Sequence, residues 1–130
     1  MYDAVIAGGS ISGLLAAREI AKEGYSVLVL EEGFEVGSPE HCGGLVSKNA
    51  LKELEIKPSN KTFDSEIECA KIFSPEGKEI TINSKRQQII VINRRELDKQ
   101  AARQARDNGA VISVKTSFQD KIKDGVRTSN

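Results

Sequence analysis

Six residues near the start of the chain, Gly8-Gly9-Ser10-Ile11-Ser12-Gly13, have types and a spacing that suit the binding of a phosphate group. In a G-x-G-x-x-G turn between a strand and a helix, the first glycine makes the tight turn and the second lets a pyrophosphate approach the backbone. The third lets the helix pack on the strand. Ser10 departs from this pattern, but it adds only a hydroxymethyl group that can donate to a phosphate oxygen. The segment therefore predicts a dinucleotide site at Gly8, Ser10 and Gly13.

An acidic residue follows where such a site needs one. Glu31 stands eighteen residues after Gly13, at the end of the next apolar run, where a carboxylate accepts hydrogen bonds from an adenosine ribose and repels a 2′-phosphate. Glu32, the next residue, is included in the predicted cofactor site. The alternative is a glycine-rich turn that binds nothing, and the matching register of turn, helix and carboxylate disfavours it. FAD and NAD share an adenosine diphosphate half, so these residues alone leave both open.

The elements that position these residues are a strand, a helix and a second strand. Tyr2–Ala7 is a short apolar run, and Ser26–Leu30 is a second run without polar alternation, as in a parallel strand covered on both faces. Between them, apolar residues recur at the spacing of a helix face, and Gly24 suits the end of that helix. This order is a βαβ unit, which is expected to have a right-handed crossover.

The middle of the chain predicts a small antiparallel excursion. A glycine-rich loop leads to a short helix over 47–54, and three strands are predicted at Ile67–Phe73, Glu79–Ile82 and Gln88–Ile92. Cys69 alternates with Ile67 in the first of these strands and is predicted to lie in the core.

The end of the chain returns to the parallel sheet. Asn93 and Glu96 form a capping-box pattern, Gly109 ends the helix, and Val111–Val114 adds a third parallel strand. Asp124-Gly125 signals a hairpin.

The fold class predicted from these elements is α/β, a Rossmann-like βαβ nucleotide-binding fold with three parallel strands and a small antiparallel β excursion. Its parts are a βαβ core at 1–31, a loop, short helix and β excursion at 32–92, a helix and third strand at 93–115, and a truncated hairpin at 116–130. A complete dinucleotide-binding sheet needs two βαβαβ halves. We therefore expect an N-terminal part of a longer enzyme.

Composition excludes several other classes. The chain has 130 residues, 38% hydrophobic and 29% charged, with 19 basic and 19 acidic side chains, so neither disorder nor a general attraction to nucleic acid is indicated. Apolar runs of four residues are far below the ~18 needed to cross a bilayer, and no basic amphipathic helix marks a membrane anchor. Two cysteines and one histidine make neither a disulfide framework nor a metal site. The expected location is cytoplasmic, with reduced thiols.

Three segments resemble a known family. Asp3–Glu31 resembles the N-terminus of the glutathione-reductase-type FAD flavoproteins. Val36-Gly37-Ser38-Pro39-Glu40-His41-Cys42-Gly43-Gly44-Leu45 is similar to the geranylgeranyl reductase family, in which a Cys-Gly motif follows a Gly-Ser-Pro turn. Asn93–Asp98 resembles that family's Arg-x-x-Phe/Leu-Asp helix start. The resemblance covers nearly the whole chain and the FAD-binding portion of the family.

The resemblance implies FAD as the cofactor and assigns roles to further residues. Arg94 would lie near the flavin nucleotide, and Cys42 and Gly43 beside the isoalloxazine, where Cys42 would help to place substrate or a proton. The other reading of Cys42 is a small packing residue. His41, the only histidine, is either an acid beside Cys42 or an ordinary hydrogen-bonded loop residue.

The implied activity is the hydrogenation of isolated C=C bonds in isoprenoid chains, either ether-lipid precursors or chlorophyll side chains. Its partners would be an isoprenoid lipid and an external electron donor, with peripheral membrane contact through other parts of the protein. Two alternatives stay open. One is an FAD-dependent aromatic monooxygenase or an electron-transfer flavoprotein dehydrogenase, and the other is a non-catalytic nucleotide-binding remnant.

Overall fold

The computed structural model describes residues 1–40, 42–83 and 88–129. The chain forms two units, Met1–His41 with Arg95–Asn130, called the first unit here, and Cys42–Arg94, called the second unit. Each unit is described separately.

The described residues form ten strands and three helices. The helices are α1 (Ile11–Lys22), α2 (Lys48–Glu53) and α3 (Arg94–Asp107). The strands are β1 (Ala4–Ala7), β2 (Val27–Leu30), β3 (Leu45–Ser47), β4 (Phe63–Glu66), β5 (Cys69–Phe73), β6 (Glu79–Asn83), β7 (Ile89–Ile92), β8 (Val111–Ser113), β9 (Ser117–Ile122) and β10 (Gly125–Ser129).

A parallel sheet with the strand order β1-β2-β8 is the base of the first unit. Its register pairs Ala4 with Val27 and Leu28 with Val111. Val27 and Val29 of the central strand are fully buried, which explains why β2 carries no polar alternation. The three predicted parallel strands and the α/β class are confirmed.

Two helices share the core of this sheet. Small side chains of α3 are buried with Leu14 and Ala17 of α1, and they allow the helix backbone to lie close to the strands. Arg18 of α1 is only 5% exposed, and its guanidinium donates a hydrogen bond of 3.0 Å to the side chain of Gln104 in α3. The alanines that α3 buries are Ala101, Ala102 and Ala105.

The last two strands form the predicted hairpin. β9 and β10 pair antiparallel from Gly125 opposite Ile122 to Ser129 opposite Ser117. The register shifts between Arg127 and Thr128, so the ribbon contains an irregularity there.

An antiparallel sheet with the order β3-β7-β4 carries the second unit. β7 is central, and its Ile90 and Ile92 are buried with Leu51 of α2 and Ile56. α2 begins after Ser47, whose hydroxyl accepts a hydrogen bond of 3.2 Å from the amide of Asn49, as expected of an N-cap. The antiparallel excursion is therefore confirmed.

Three details of this unit differ from the sequence prediction. The predicted strand at Ile67–Phe73 begins only at Cys69, a separate strand occupies Phe63–Glu66, and β3 was not predicted. The prediction that Cys69 is a core residue is wrong, because it lies on the two-stranded ribbon of β5 and β6, in which every residue is exposed. Alternation along a strand indicates a core face only where a second layer covers that face.

Candidate dinucleotide site

The glycine-rich turn joins β1 to α1 as the sequence predicts. Gly8 has φ +107°, a conformation that costs a residue without a Cβ least, and its amide donates to the carbonyl of Leu30 at 2.8 Å. At Gly13, an added Cβ would overlap the carbonyl oxygen of Gly8 and lie 3.2 Å from Cγ2 of Ile6. The two glycines therefore have separate roles, since Gly8 makes the turn and Gly13 lets α1 approach β1.

Ser10 is the N-cap residue of α1, but its hydroxyl does not cap the helix. Its backbone is extended, and its side chain accepts no capping hydrogen bond. No acidic residue stands in the first turn of the helix. The first amides of a helix point outward and carry partial positive charge, so this end of α1 favours an anion.

Glu31 is held by backbone amides on both sides. Its Oε2 accepts a hydrogen bond of 2.7 Å from the amide of Gly9, and its Oε1 accepts one of 2.7 Å from the amide of Gly33. The carboxylate therefore ties the glycine-rich turn to the loop after β2. Each carboxylate oxygen has a second lone pair, so both amide contacts leave room for a ribose hydroxyl.

We expect Glu31→Gln to lower stability even without a bound nucleotide. A carboxamide keeps one acceptor but presents an NH₂ group to the second amide, so a charge-assisted hydrogen bond of about 1.5–3 kcal/mol is lost. Thermal unfolding of the nucleotide-free protein measures this loss. Glu32→Gln is the matched control, because Glu32 is exposed and the same charge change there should alter stability by less than about 0.5 kcal/mol. Equal unfolding temperatures for the two variants would contradict the role of Glu31 as a tie between loops.

A cavity of about 200 Å³ opens between the turn and the end of the third parallel strand. Gly8, Glu31 and Glu32 line it together. The sequence analysis missed the residues on its other wall, which follow β8. The rule that ligands bind beyond the carboxyl ends of parallel strands would have indicated them. These residues are Thr116, Ser117 and Phe118.

The remaining predicted site residues belong to the second unit. Cys42 and Gly43 are exposed, and Cys42 forms no disulfide. An added Cβ at Gly43 would meet no atom within 4 Å. The carbonyl of Gly44 accepts a hydrogen bond of 2.9 Å from the amide of Ile92, two residues before Arg94. The fold thus brings the Cys-Gly-Gly segment to the end of β7, from which Arg94 begins α3.

Arg94 is half-buried, and Asn93 before it is tied down through its amide, which donates 2.8 Å to the carbonyl of Thr62. His41 lies outside the described residues.

The described part of the chain holds neither a cluster of metal ligands nor a helix suited to a bilayer. In residues 1–40, 42–83 and 88–129, no three or more His, Cys, Asp or Glu side chains gather closely enough to hold a metal ion. None of the helices in those ranges combines the length and the apolar character that a bilayer crossing requires.

Comparison with curated proteins finds long matches to archaeal reductases. A digeranylgeranylglycerophospholipid reductase of Methanocella arvoryzae is 35% identical over 118 residues, which is 88% of this chain and 30% of that protein. One from Picrophilus torridus is 34% identical over 130 residues, covering 97% of this chain and 33% of the relative. The chain therefore spans about a third of the length of these relatives.

A solved structure agrees with these matches. The crystal structure of a geranylgeranyl bacteriochlorophyll reductase-like protein from Thermoplasma acidophilum superposes with a TM-score of 0.89 at 33% identity. It covers 98% of this chain and 34% of the other. The profile of the FAD dependent oxidoreductase family matches residues 3–125. FAD has an adenosine diphosphate half, which fits the turn at Gly8, the helix end at Ser10 and the carboxylate of Glu31. The chain belongs to the FAD dependent oxidoreductase family.

Proposed function

We propose that this chain is the FAD-binding part of a reductase that hydrogenates isolated C=C bonds of isoprenoid lipids. The observation that carries the proposal is the hydrogen bond between Glu31 and the glycine-rich turn, in a chain that is 35% identical to a digeranylgeranylglycerophospholipid reductase over 88% of this chain. When bound, FAD supplies the hydride for such a reduction.

The first unit would hold the adenosine end of the cofactor. The amides at the start of α1 and the hydroxyl of Ser10 would contact the pyrophosphate, next to the turn at Gly8. Glu31 would accept hydrogen bonds from the ribose, with its carboxylate already oriented by the amides of Gly9 and Gly33. Glu32 contributes to the rim of the same cavity.

The second unit would face the isoalloxazine. Open space at Gly43 lets a flat ring approach the backbone, which a side chain would prevent. Cys42 is exposed beside it and would help to place the substrate or a proton. Arg94 would supply positive charge to the flavin nucleotide. At the start of a helix a cation has no favourable interaction with the helix dipole, so an anionic partner is a reason for an arginine there.

The names of the relatives support this substrate class, because they specify a glycerophospholipid with geranylgeranyl chains. An external electron donor would return the flavin to its reduced form. To reach a phospholipid substrate, the protein would have to act in peripheral contact with a membrane surface.

Binding of FAD tests the first half of this proposal. We expect the chain, mixed with FAD and passed through a desalting column, to retain flavin absorbance in the visible range, and excess NAD to displace none of it. Retention of NAD and not FAD would overturn the choice of cofactor.

Hydrogenation tests the second half. In a hybrid, this chain replaces the matching third of the Methanocella arvoryzae relative, and chemically reduced hybrid is given a geranylgeranyl phospholipid. We expect the lipid to gain the mass of two hydrogen atoms for each double bond. A hybrid that binds FAD and is reduced, yet leaves the lipid unchanged, would contradict the proposed substrate class.

A further inference from the structure

A second cavity of the first unit, of about 320 Å³, lies away from the glycine-rich turn. One wall is α3, from which Lys99, Arg103 and Arg106 reach the cavity. Their spacing of four and three residues places them on one helix face. The local sequence predicts no membrane anchor here, because it shows no basic amphipathic helix.

The apolar part of the lining comes from two other parts of the sequence. Phe34, Val36 and Val114 contribute it, and Phe34 is 65% exposed. Neither segment alone predicts that an exposed aromatic ring lies beside a row of cations. Folding brings the two together, because the loop after β2 and the end of β8 meet at α3.

The charges of this cavity are not balanced. Glu35 forms ion pairs with Arg95 and with Lys99, the latter at 3.0 Å. The hydrogen bond from Lys99 and the positive charge of Arg95 hold the pKa of Glu35 below its usual value, so this carboxylate is ionised at neutral pH.

Among the described residues, no carboxylate pairs with Arg103 or Arg106. Two exposed guanidinium groups therefore remain available, in a chain whose net charge is zero.

We propose that Arg103, Arg106 and Phe34 form a docking surface for the anionic headgroups of a membrane. Arginine is suited to bidentate contact with phosphate, and a neighbouring exposed aromatic ring is suited to insertion at the headgroup level. An acidic protein would match the charges but would leave the exposed ring of Phe34 unexplained. The inference rests on the proposed function, because a phospholipid substrate has to be taken from such a surface.

Vesicle binding tests the surface. The full chain, loaded with FAD, is sedimented with vesicles of phosphatidylcholine alone or of phosphatidylcholine mixed with phosphatidylglycerol. We expect binding only to the mixed vesicles and release at high salt. The double variant Arg103→Gln with Arg106→Gln should bind about 30-fold more weakly, which corresponds to about 1 kcal/mol for each arginine. Phe34→Ser should weaken binding at low salt but leave its dependence on salt unchanged, because it removes an apolar contact and no charge.

The matched control is Lys121→Gln with Lys123→Gln, which removes the same charge from exposed positions on the β9–β10 hairpin. An equal loss in this control would mean that overall charge matters and would overturn the docking surface. The surface would also be overturned if inorganic phosphate at low concentration saturates it, or if polyglutamate is bound in place of the vesicles. Hydrogenation by the hybrid separates the two proposals. A hybrid that reduces the lipid while the chain fails to bind mixed vesicles would overturn the docking surface alone, whereas a hybrid that leaves the lipid unchanged would overturn the proposed function.

Discussion

Gly13→Ala is expected to unfold much of the first unit. The new Cβ would overlap the carbonyl oxygen of Gly8, and this oxygen belongs to the backbone of the turn and cannot rotate away. Relief requires α1 to move off β1, which would open the core around Leu14 and Ala17. Overpacking by side chains costs about 1–3 kcal/mol, and an overlap with the backbone should cost at least as much. The total stability of a domain is only about 5–15 kcal/mol, so this loss is a large part of it.

Thermal unfolding followed by circular dichroism is the measurement. We expect a fall in Tm of about 10 °C or more, and loss of FAD retention. Gly125→Ala serves as the control, because an added Cβ at Gly125 meets nothing within 4 Å. Its Tm should change by the equivalent of less than about 0.5 kcal/mol. A Gly13→Ala protein with the normal Tm would show that the helix does not approach the turn as closely as described.

The βαβ core could be predicted because its signals are local. The glycine turn, the apolar run of β2 and the helix face of α1 each lie within a few residues, and together they specify a parallel sheet. The helix at α3 was equally clear from the capping-box pattern of Asn93 and Glu96 and from Gly109 at its end. Such elements need no knowledge of distant contacts.

The remainder depends on contacts between distant residues. β3 has three residues, too few for a period to be recognised, and it exists because β7 supplies its hydrogen bonds. The failure at Cys69 has the same origin, since no local pattern says whether a second layer covers a strand.

The candidate site shows a similar division. Gly8, Ser10, Gly13 and Glu31 could be named from spacing alone, and the structure brings the turn and the carboxylate together through the amide of Gly9. The wall at Thr116 and beyond was missed, although the predicted third parallel strand and the rule that ligands bind beyond the carboxyl ends of parallel strands together point to it. The sequence also does not predict that Glu31 links two loops, because this depends on a second hydrogen bond, from the amide of Gly33.

Two adjacent glycines, Gly43 and Gly44, should respond to alanine in opposite ways. At Gly44, φ is +75° and an added Cβ would overlap the carbonyl oxygen of Ile92. Strain of about 1–2 kcal/mol from the left-handed backbone adds to that overlap. At Gly43, an added Cβ meets nothing within 4 Å, so the fold should tolerate it. The same substitution therefore separates a glycine needed for folding from one proposed to serve the cofactor.

We expect Gly44→Ala to lower the free energy of unfolding by about 3 kcal/mol or more and Gly43→Ala to leave it within about 0.5 kcal/mol. In FAD titrations followed by flavin fluorescence, Gly43→Ala should nevertheless bind more weakly than the unchanged chain, because its methyl group would occupy the space proposed for the ring. Normal FAD affinity in Gly43→Ala would remove Gly43 from the site, while normal stability in Gly44→Ala would contradict its close approach to β7. Because Gly43→Ala is expected to be folded, a loss of FAD affinity in this variant would come from lost contact with FAD and not from unfolding.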